Sequence, residues 1–200
     1  MKHPNTFSRY LTEREEKALF KAVKDTSGLY AERDLAWMRL LRATGMRVGE
    51  TSLLTCGHAR DALRNDHLEL QSDIRKKKVA HTIFCTGKCK RALRDLLRIR
   101  RDLGHAEDAD APLIMSRNGK GMSIRSFQSR LAIWRDKAGL EGVTPHWFRH
   151  TVAKRIMKNS TSRDPRGVVQ SVLGHKAASS TDVYTRTDKE DVVESMKEVC

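Results

Sequence analysis

The chain has 200 residues, long enough for one domain with a core of its own, and sets 39 Lys plus Arg against 25 Asp plus Glu for a formal net charge of +14. A basic excess of that size favours a polyanionic partner, because neutralising phosphates releases condensed counterions; a soluble protein that is simply basic is the bland alternative on charge alone. Aromatic residues make up only 6%, which disfavours a stacking platform for single strands and leaves duplex binding through phosphates.

No run of about 18 apolar residues is present, so no membrane span is expected. Met1-Lys2-His3-Pro4-Asn5 leads into polar sequence without a signal-peptide core. Cysteines at 56, 85, 89 and 200 form neither a C-x-x-C pair nor a disulfide framework, which suits a reducing cytoplasm. His81, Cys85 and Cys89 are evenly spaced, but no second ligand pair is positioned to close a zinc site. Buried thiols are the better reading, and no metal is expected.

In chain order, Thr12 with Glu15 makes a capping box, and Ala18, Leu19, Ala22 and Val23 give one apolar stripe before Thr26-Ser27-Gly28 stops the helix. The apolar segment from Leu35 to Leu41 predicts a core helix ending near Thr44-Gly45, and a short helix follows from Arg47 to Leu54. Over 55–86, Leu68, Leu70, Val79, Ile83 and Phe84 alternate with polar residues, predicting short strands joined by the basic run Arg75-Lys76-Lys77-Lys78. Helical spacing returns near Lys88, with Leu93, Leu96, Leu97 and Ile99 on one side and Arg91, Arg94, Arg98, Arg100 and Arg101 mostly on a solvated face. Residues 104–121 turn acidic, then Gly-rich, and read as a surface connection. Ser123 opens a helix carrying Ile124, Phe127, Leu131 and Trp134, which Gly139 ends. Thr144-Pro145 and Asp164-Pro165 each join an N-cap to a proline at the first helical position, and Gly174 closes the last of these helices. One mainly helical domain with a small hairpin is the economical architecture.

Three stretches carry the chemistry. His146 and Arg149 lie three apart at the start of a helix, on one face and near backbone amides that favour an anion, while Phe148, Val152 and Ile156 take another face. Arg47 follows Gly45 at a helix start, where a planar guanidinium can grip two phosphate oxygens. His175 sits just past Gly174, and Tyr184 comes nine residues later. A phenol has a free pKa near ~10 and needs cations around its target to attack at neutral pH.

Ala-Thr-Gly-Met-Arg-Val-Gly-Glu at 43–50, Thr-Pro-His-Trp-Phe-Arg-His at 144–150 and Leu-Gly-His through Tyr-Thr-Arg at 173–186 resemble the tyrosine recombinases, or phage integrases, in wording and order. The resemblance spans essentially the whole chain. It implies a mainly α fold with a small antiparallel β-sheet (α+β), three-stranded in the family's catalytic domain and shared in outline with type IB topoisomerases. It further implies cofactor-free cleavage and rejoining of double-stranded DNA, with Tyr184 as the nucleophile that forms a 3′-phosphotyrosyl link. Arg47, Arg149 and His175 then stabilise the transition state and His146 assists proton movement. Glu50 matches a supporting carboxylate, and His150 a position buried for structural reasons. The family's lysine lies on a strand-turn-strand hairpin, where it protonates the departing 5′ oxygen. Counting back from Ile83-Phe84 gives Lys76, although the usual glycine turn is missing and Lys77 or Lys78 remain open.

Residues 1–200 are thus expected to be a single catalytic domain without the N-terminal core-binding domain that closes the clamp on DNA, and the loop 158–165 is longer than in relatives. Val192, Met196 and Val199 share one helical face in the tail 185–200. In the family such a tail packs on a neighbouring subunit, implying a homo-oligomer, a tetramer on DNA; folding back on its own domain is the alternative. The expected role is a site-specific recombinase acting on DNA in the cytoplasm. Alternatives are a relaxing topoisomerase and a non-catalytic DNA-binding accessory factor, the latter disfavoured by the complete set of residues.

Overall fold

The structure, a computed structural model, describes residues 10–71, 80–174 and residue 181, and among these the chain forms eight α-helices and two strands. Helix α1 (Glu13–Lys24) begins at its capping box: Thr12 Oγ1 accepts from the Glu15 amide, and the Glu15 carboxylate accepts from the Thr12 amide at 2.9 Å. Helix α2 (Leu29–Thr44) starts earlier than its apolar run and buries Ala36, Trp37, Met38, Leu40 and Leu41. A helix apolar on several sides belongs in the centre of a core. The left-handed Gly45 (φ 67°) ends α2, and α3 (Val48–Ser52) follows at once.

The stretch 55–86, read as strands from its alternation, is only partly so. Residues 56–65 form α4 (Cys56–Asn65), which buries Cys56, Ala59 and Ala62 on one stripe. Its N-terminus is a capping box written with histidine: Thr55 Oγ1 accepts from the His58 amide, and His58 Nδ1 accepts from the Thr55 amide at 3.1 Å. The usual Glu or Gln three residues after the cap is absent, so the sequence carries no ordinary start signal here. Strands β1 (His67–Leu70) and β2 (His81–Phe84) pair antiparallel with Leu68 opposite Ile83 and Leu70 opposite His81. Leu68, Leu70 and Ile83 face the core, whereas Phe84 is 80% exposed. No third strand pairs with them among the described residues; isolated bridges join Thr55 to Pro112 and Met115 to Gly121. Val79 and the basic run 75–78 lie outside the described residues.

Helix α5 (Gly87–Asp102) turns Cys89, Ala92, Leu93, Leu96 and Ile99 inward and leaves Arg91, Arg94, Arg98 and Arg101 exposed, as its periodicity predicts. Arg100 departs from that face. It is buried, donating from Nε to the Ala106 carbonyl at 2.7 Å and from a terminal nitrogen to the Pro112 carbonyl. These bonds pin the 104–121 connection against the domain, so Leu113, Ile114 and Met115 join the core rather than the surface. Helices α6 (Ile124–Lys137), α7 (Pro145–Asn159) and α8 (Pro165–Leu173) begin at Ser123, Thr144 and Asp164 and complete a mainly α fold with one small antiparallel sheet.

Helix α2 is the axis: it packs most extensively on α5, then on α7 and α1, with Trp37 edge-to-face on Phe127 of α6 at 5.1 Å. Cutting Trp37 to alanine at that centre costs ~3–5 kcal/mol by the usual penalty for a large core cavity. Across the surface, Glu16 of α1 accepts from Arg42 of α2 and Arg155 of α7, both at 2.7 Å, and so links the three helices. Among the described residues no helix is long and apolar enough to cross a membrane.

Candidate active site

The α2–α3 turn, the start of α7 and the last turn of α8 are bridged by one side chain. Arg149 is buried, and its two terminal nitrogens donate to the Gly45 carbonyl at 2.8 Å and the Leu173 carbonyl at 2.7 Å. A buried guanidinium is tolerated only with its donors satisfied, so these bonds hold three elements and fix the direction of the charge. The approach is close enough to demand glycine. A β-carbon on Gly45 would lie 2.7 Å from Leu173 Cδ2, and the residue already has a positive φ of 67°.

Two residues beyond Gly45, Arg47 forms the N-cap of α3 and remains partly open to solvent. Glu50 is 4% exposed and accepts from the Arg47 amide at 2.8 Å and from its guanidinium at 3.0 Å. The carboxylate therefore orients the arginine and closes the start of α3 together, the supporting part expected of it. At the head of α7, His146 faces solvent, yet its pKa lies below the ordinary 6.5. Burial of the ring edge is the largest cause, followed by the charges of Arg149 and then Arg47. Both arginines are felt at the same imidazole, and the neutral ring is favoured there. His150, one turn on, is partly buried and lies edge-to-face with His146 at 4.5 Å between centroids.

Arg47, Glu50, His146, Arg149 and His150 are thus assembled on α3 and α7. Lys76, His175 and Tyr184 lie outside the described residues. What is described is their approach: Leu173 under Arg149, the left-handed Gly174 (φ 60°) immediately before His175, and Thr181, fully buried, three residues before Tyr184. A second surface carries arginines, of which Arg117 and Arg125 are exposed while Arg33 and Arg130 bond to Asp34. An open cleft of about 400 Å³ runs along the start of α6, lined by Arg33, Arg117, Arg125, Arg130, Ser123 and Ser126 among others. It adjoins α3, since Ile124 lies over Gly49. The arginines of its lining are spread across nearly a hundred positions of sequence, so no local signal joins them.

The evenly spaced His81, Cys85 and Cys89 make contacts of their own. The Cys89 thiol donates to Cys85 at 3.1 Å, and His81 Nε2 lies 3.1 Å from the Val172 carbonyl. Chemically, two fixed guanidiniums beside a neutral imidazole make a receptor for a tetrahedral anion, with the ring able to accept or pass a proton.

Residues 9–191 match the sequence model of the Phage integrase family. Among curated proteins the chain is similar to the tyrosine recombinase XerC of Herpetosiphon aurantiacus, 30% identical over 168 residues, covering 84% of this chain and 52% of that protein. It is also similar to XerC of Neisseria meningitidis serogroup C, 35% identical over 160 residues, covering 79% and 48%. The chain thus spans about half the length of the curated relatives it matches. Among solved structures it resembles the XerA recombinase, with a TM-score of 0.76 and 26% identity over 99% of this chain and 66% of that one.

Proposed function

The chain belongs to the phage integrase family, and from that membership we propose that it is a site-specific DNA recombinase that breaks and rejoins strands through a 3′-phosphotyrosyl intermediate. The observation that carries the reading is the gathering of Arg47 and Arg149 around a neutral-favouring His146, a place where a phosphodiester would supply the missing negative charge. The Tyr184 oxygen attacks phosphorus, the P–O5′ bond breaks, and the departing oxygen takes a proton from a lysine, with Lys76 favoured over Lys77 and Lys78. Arg47 and Arg149, with His175, stabilise the charge on the equatorial oxygens, and His146 contacts an oxygen or moves a proton. A second 5′-hydroxyl then attacks the phosphotyrosine and restores the backbone. The bond is conserved throughout, so the cycle asks for no nucleotide cofactor or metal.

The partner in this reading is double-stranded DNA in the cytoplasm, gripped through phosphates at the site and along the cleft of α6, where Arg117 and Arg125 are exposed. We read residues 1–200 as the catalytic portion of the relatives' length, assembled as a tetramer on DNA through the tail 185–200. Comparing the solution mass on DNA of the whole chain with one ending at Thr187 tests the tail: equal assembly would remove it from the interface. The activity itself is tested on a duplex nicked near the scissile phosphate, so that the small leaving fragment diffuses away. The wild-type chain should give a covalent protein–DNA band and Tyr184→Phe none. An adduct from the phenylalanine variant would refute the nucleophile.

A further inference from the structure

Two cysteines that the recombination chemistry leaves unused are set sulfur to sulfur where β2 gives way to α5. Cys85 follows the last residue of β2 and precedes Thr86, the N-cap of α5; Cys89 is the third residue of that helix. The Cys85 amide donates to the Asp66 carbonyl at 2.8 Å, which ties down the strand end, and the Cys89 thiol donates to Cys85 Sγ at 3.1 Å. A covalent bond between the two sulfurs asks for a further approach of only about 1 Å.

The two thiols are not equivalent. Cys89 is fully buried, whereas Cys85 keeps 7% of its surface, between Phe84 and Thr86, which are both exposed. The Cys85 thiol lies below its ordinary pKa. The bond from Cys89 is the largest cause; burial opposes it, the charges of Lys90 and His67 assist, and Asp66, which pairs with Lys90, works against them. Cys89 is pushed up by its bond to Cys85, then by burial and by the Cys85 charge. Negative charge therefore belongs on the sulfur that meets solvent, next to the start of a helix that favours it, and the proton stays on the inner one.

We propose that Cys85 and Cys89 are a peroxide-reactive dithiol, in which Cys85 takes up the oxidant and Cys89 resolves it to a disulfide that fastens the end of β2 to the first turn of α5. The Cys85 thiolate attacks one oxygen of hydrogen peroxide, an S–O bond forms, the O–O bond breaks, and the departing hydroxide takes up the proton that Cys85 had released. The Cys89 sulfur then attacks Cys85. An S–S bond forms, the S–O bond breaks, and the second hydroxide leaves with the Cys89 proton as water. Two thiols and one peroxide thus give one disulfide and two waters, with sulfur oxidised and peroxide reduced. Low-molecular-weight thiols reverse such a bond by exchange.

The test treats the whole folded chain with hydrogen peroxide, blocks remaining thiols and digests with trypsin, which cuts after Lys88 and so places the two cysteines in separate peptides. Wild type should yield peptides joined through Cys85 and Cys89 and separated again by dithiothreitol. They should form at least ~10-fold faster than Cys56 is oxidised, since Cys56 is fully buried and its thiol is pushed up by that burial. Cys89→Ser should leave a sulfenic acid at Cys85 that dimedone captures, and Cys85→Ser should leave Cys89 unmodified over the same time. Joining of either cysteine to Cys200, a rate no greater than that of Cys56, or ready oxidation of Cys89 in Cys85→Ser would overturn the assignment. None of these readouts involves DNA, so either result leaves the recombinase reading where it stands.

Discussion

Asp34 in α2 and Arg149 beside it on α7 are both buried charges, and they are satisfied in opposite ways. The Asp34 carboxylate is fully buried and accepts five bonds: from Arg33 Nε and Nη2 and Trp37 Nε1 on one oxygen, and from Arg130 Nε and Trp134 Nε1 on the other. There one carboxylate is met by two guanidiniums from within the protein, and two indoles close its remaining acceptor capacity. Arg149 rests instead on the Gly45 and Leu173 carbonyls, dipoles that orient a guanidinium without cancelling it. Its charge is still felt at His146, together with that of Arg47. A knot whose carboxylate is fully satisfied inside the protein holds the fold; a cluster whose positive field reaches an open surface fits the anion receptor proposed above.

The largest effect should come from opening the closed knot. Asp34→Ala leaves Arg33 buried without its carboxylate and two indoles without an acceptor, and should cost ~3–5 kcal/mol in urea unfolding, the loss typical of breaking a buried pair. A cost below about 1 kcal/mol, the scale of a surface ion pair, would make the knot ornamental. Gly45→Ala joins both regions, since it strains a left-handed residue and drives a β-carbon into Leu173. It should cost ~2–4 kcal/mol, combining the left-handed penalty with overpacking. It should also slow adduct formation, because Arg149 hangs on the same carbonyl; normal activity at reduced stability would separate the turn from the site. The smallest effect is electrostatic. The folded pKa of His146 lies below 6.5, so its contribution to stability is complete above the unfolded value and is lost as pH falls through the folded one. Carbon-13 NMR titration should find that value rising when a nicked duplex is added, as phosphate offsets the two arginines. No rise would mean that the phosphate does not sit there.

The same contrast explains what could be read along the chain. Caps and prolines announced α1, α7 and α8, because those signals are local: Thr12 with Glu15, Thr144-Pro145 and Asp164-Pro165 all stand where the helices begin. Helix α4 was hidden because His58 does the work of a glutamate in its box. Leu113 to Met115 looked like surface because the residues around them are polar, and Arg100, which draws them in, looked like one more solvated arginine. Residues 47, 50, 146 and 149, which the structure gathers, were legible through the wording of two short stretches, 43–50 and 144–150, each carried on a helix start. The Asp34 knot and the His81 bond were not, for both depend on partners about a hundred positions away. The lone acidic residue directly before the apolar run Leu35–Leu41, with Trp37 one turn on, was the available hint of the first.

Arg47→Lys tests most directly whether the cation cluster serves a phosphodiester rather than the fold. Lysine keeps the charge beside Glu50 but loses the planar fork. Unfolding free energy should stay within about 1 kcal/mol of wild type, while covalent adduct formation on the nicked duplex should fall roughly 100-fold, the scale of losing one transition-state donor. Adduct formation at the wild-type rate by a stably folded Arg47→Lys chain would contradict the claim.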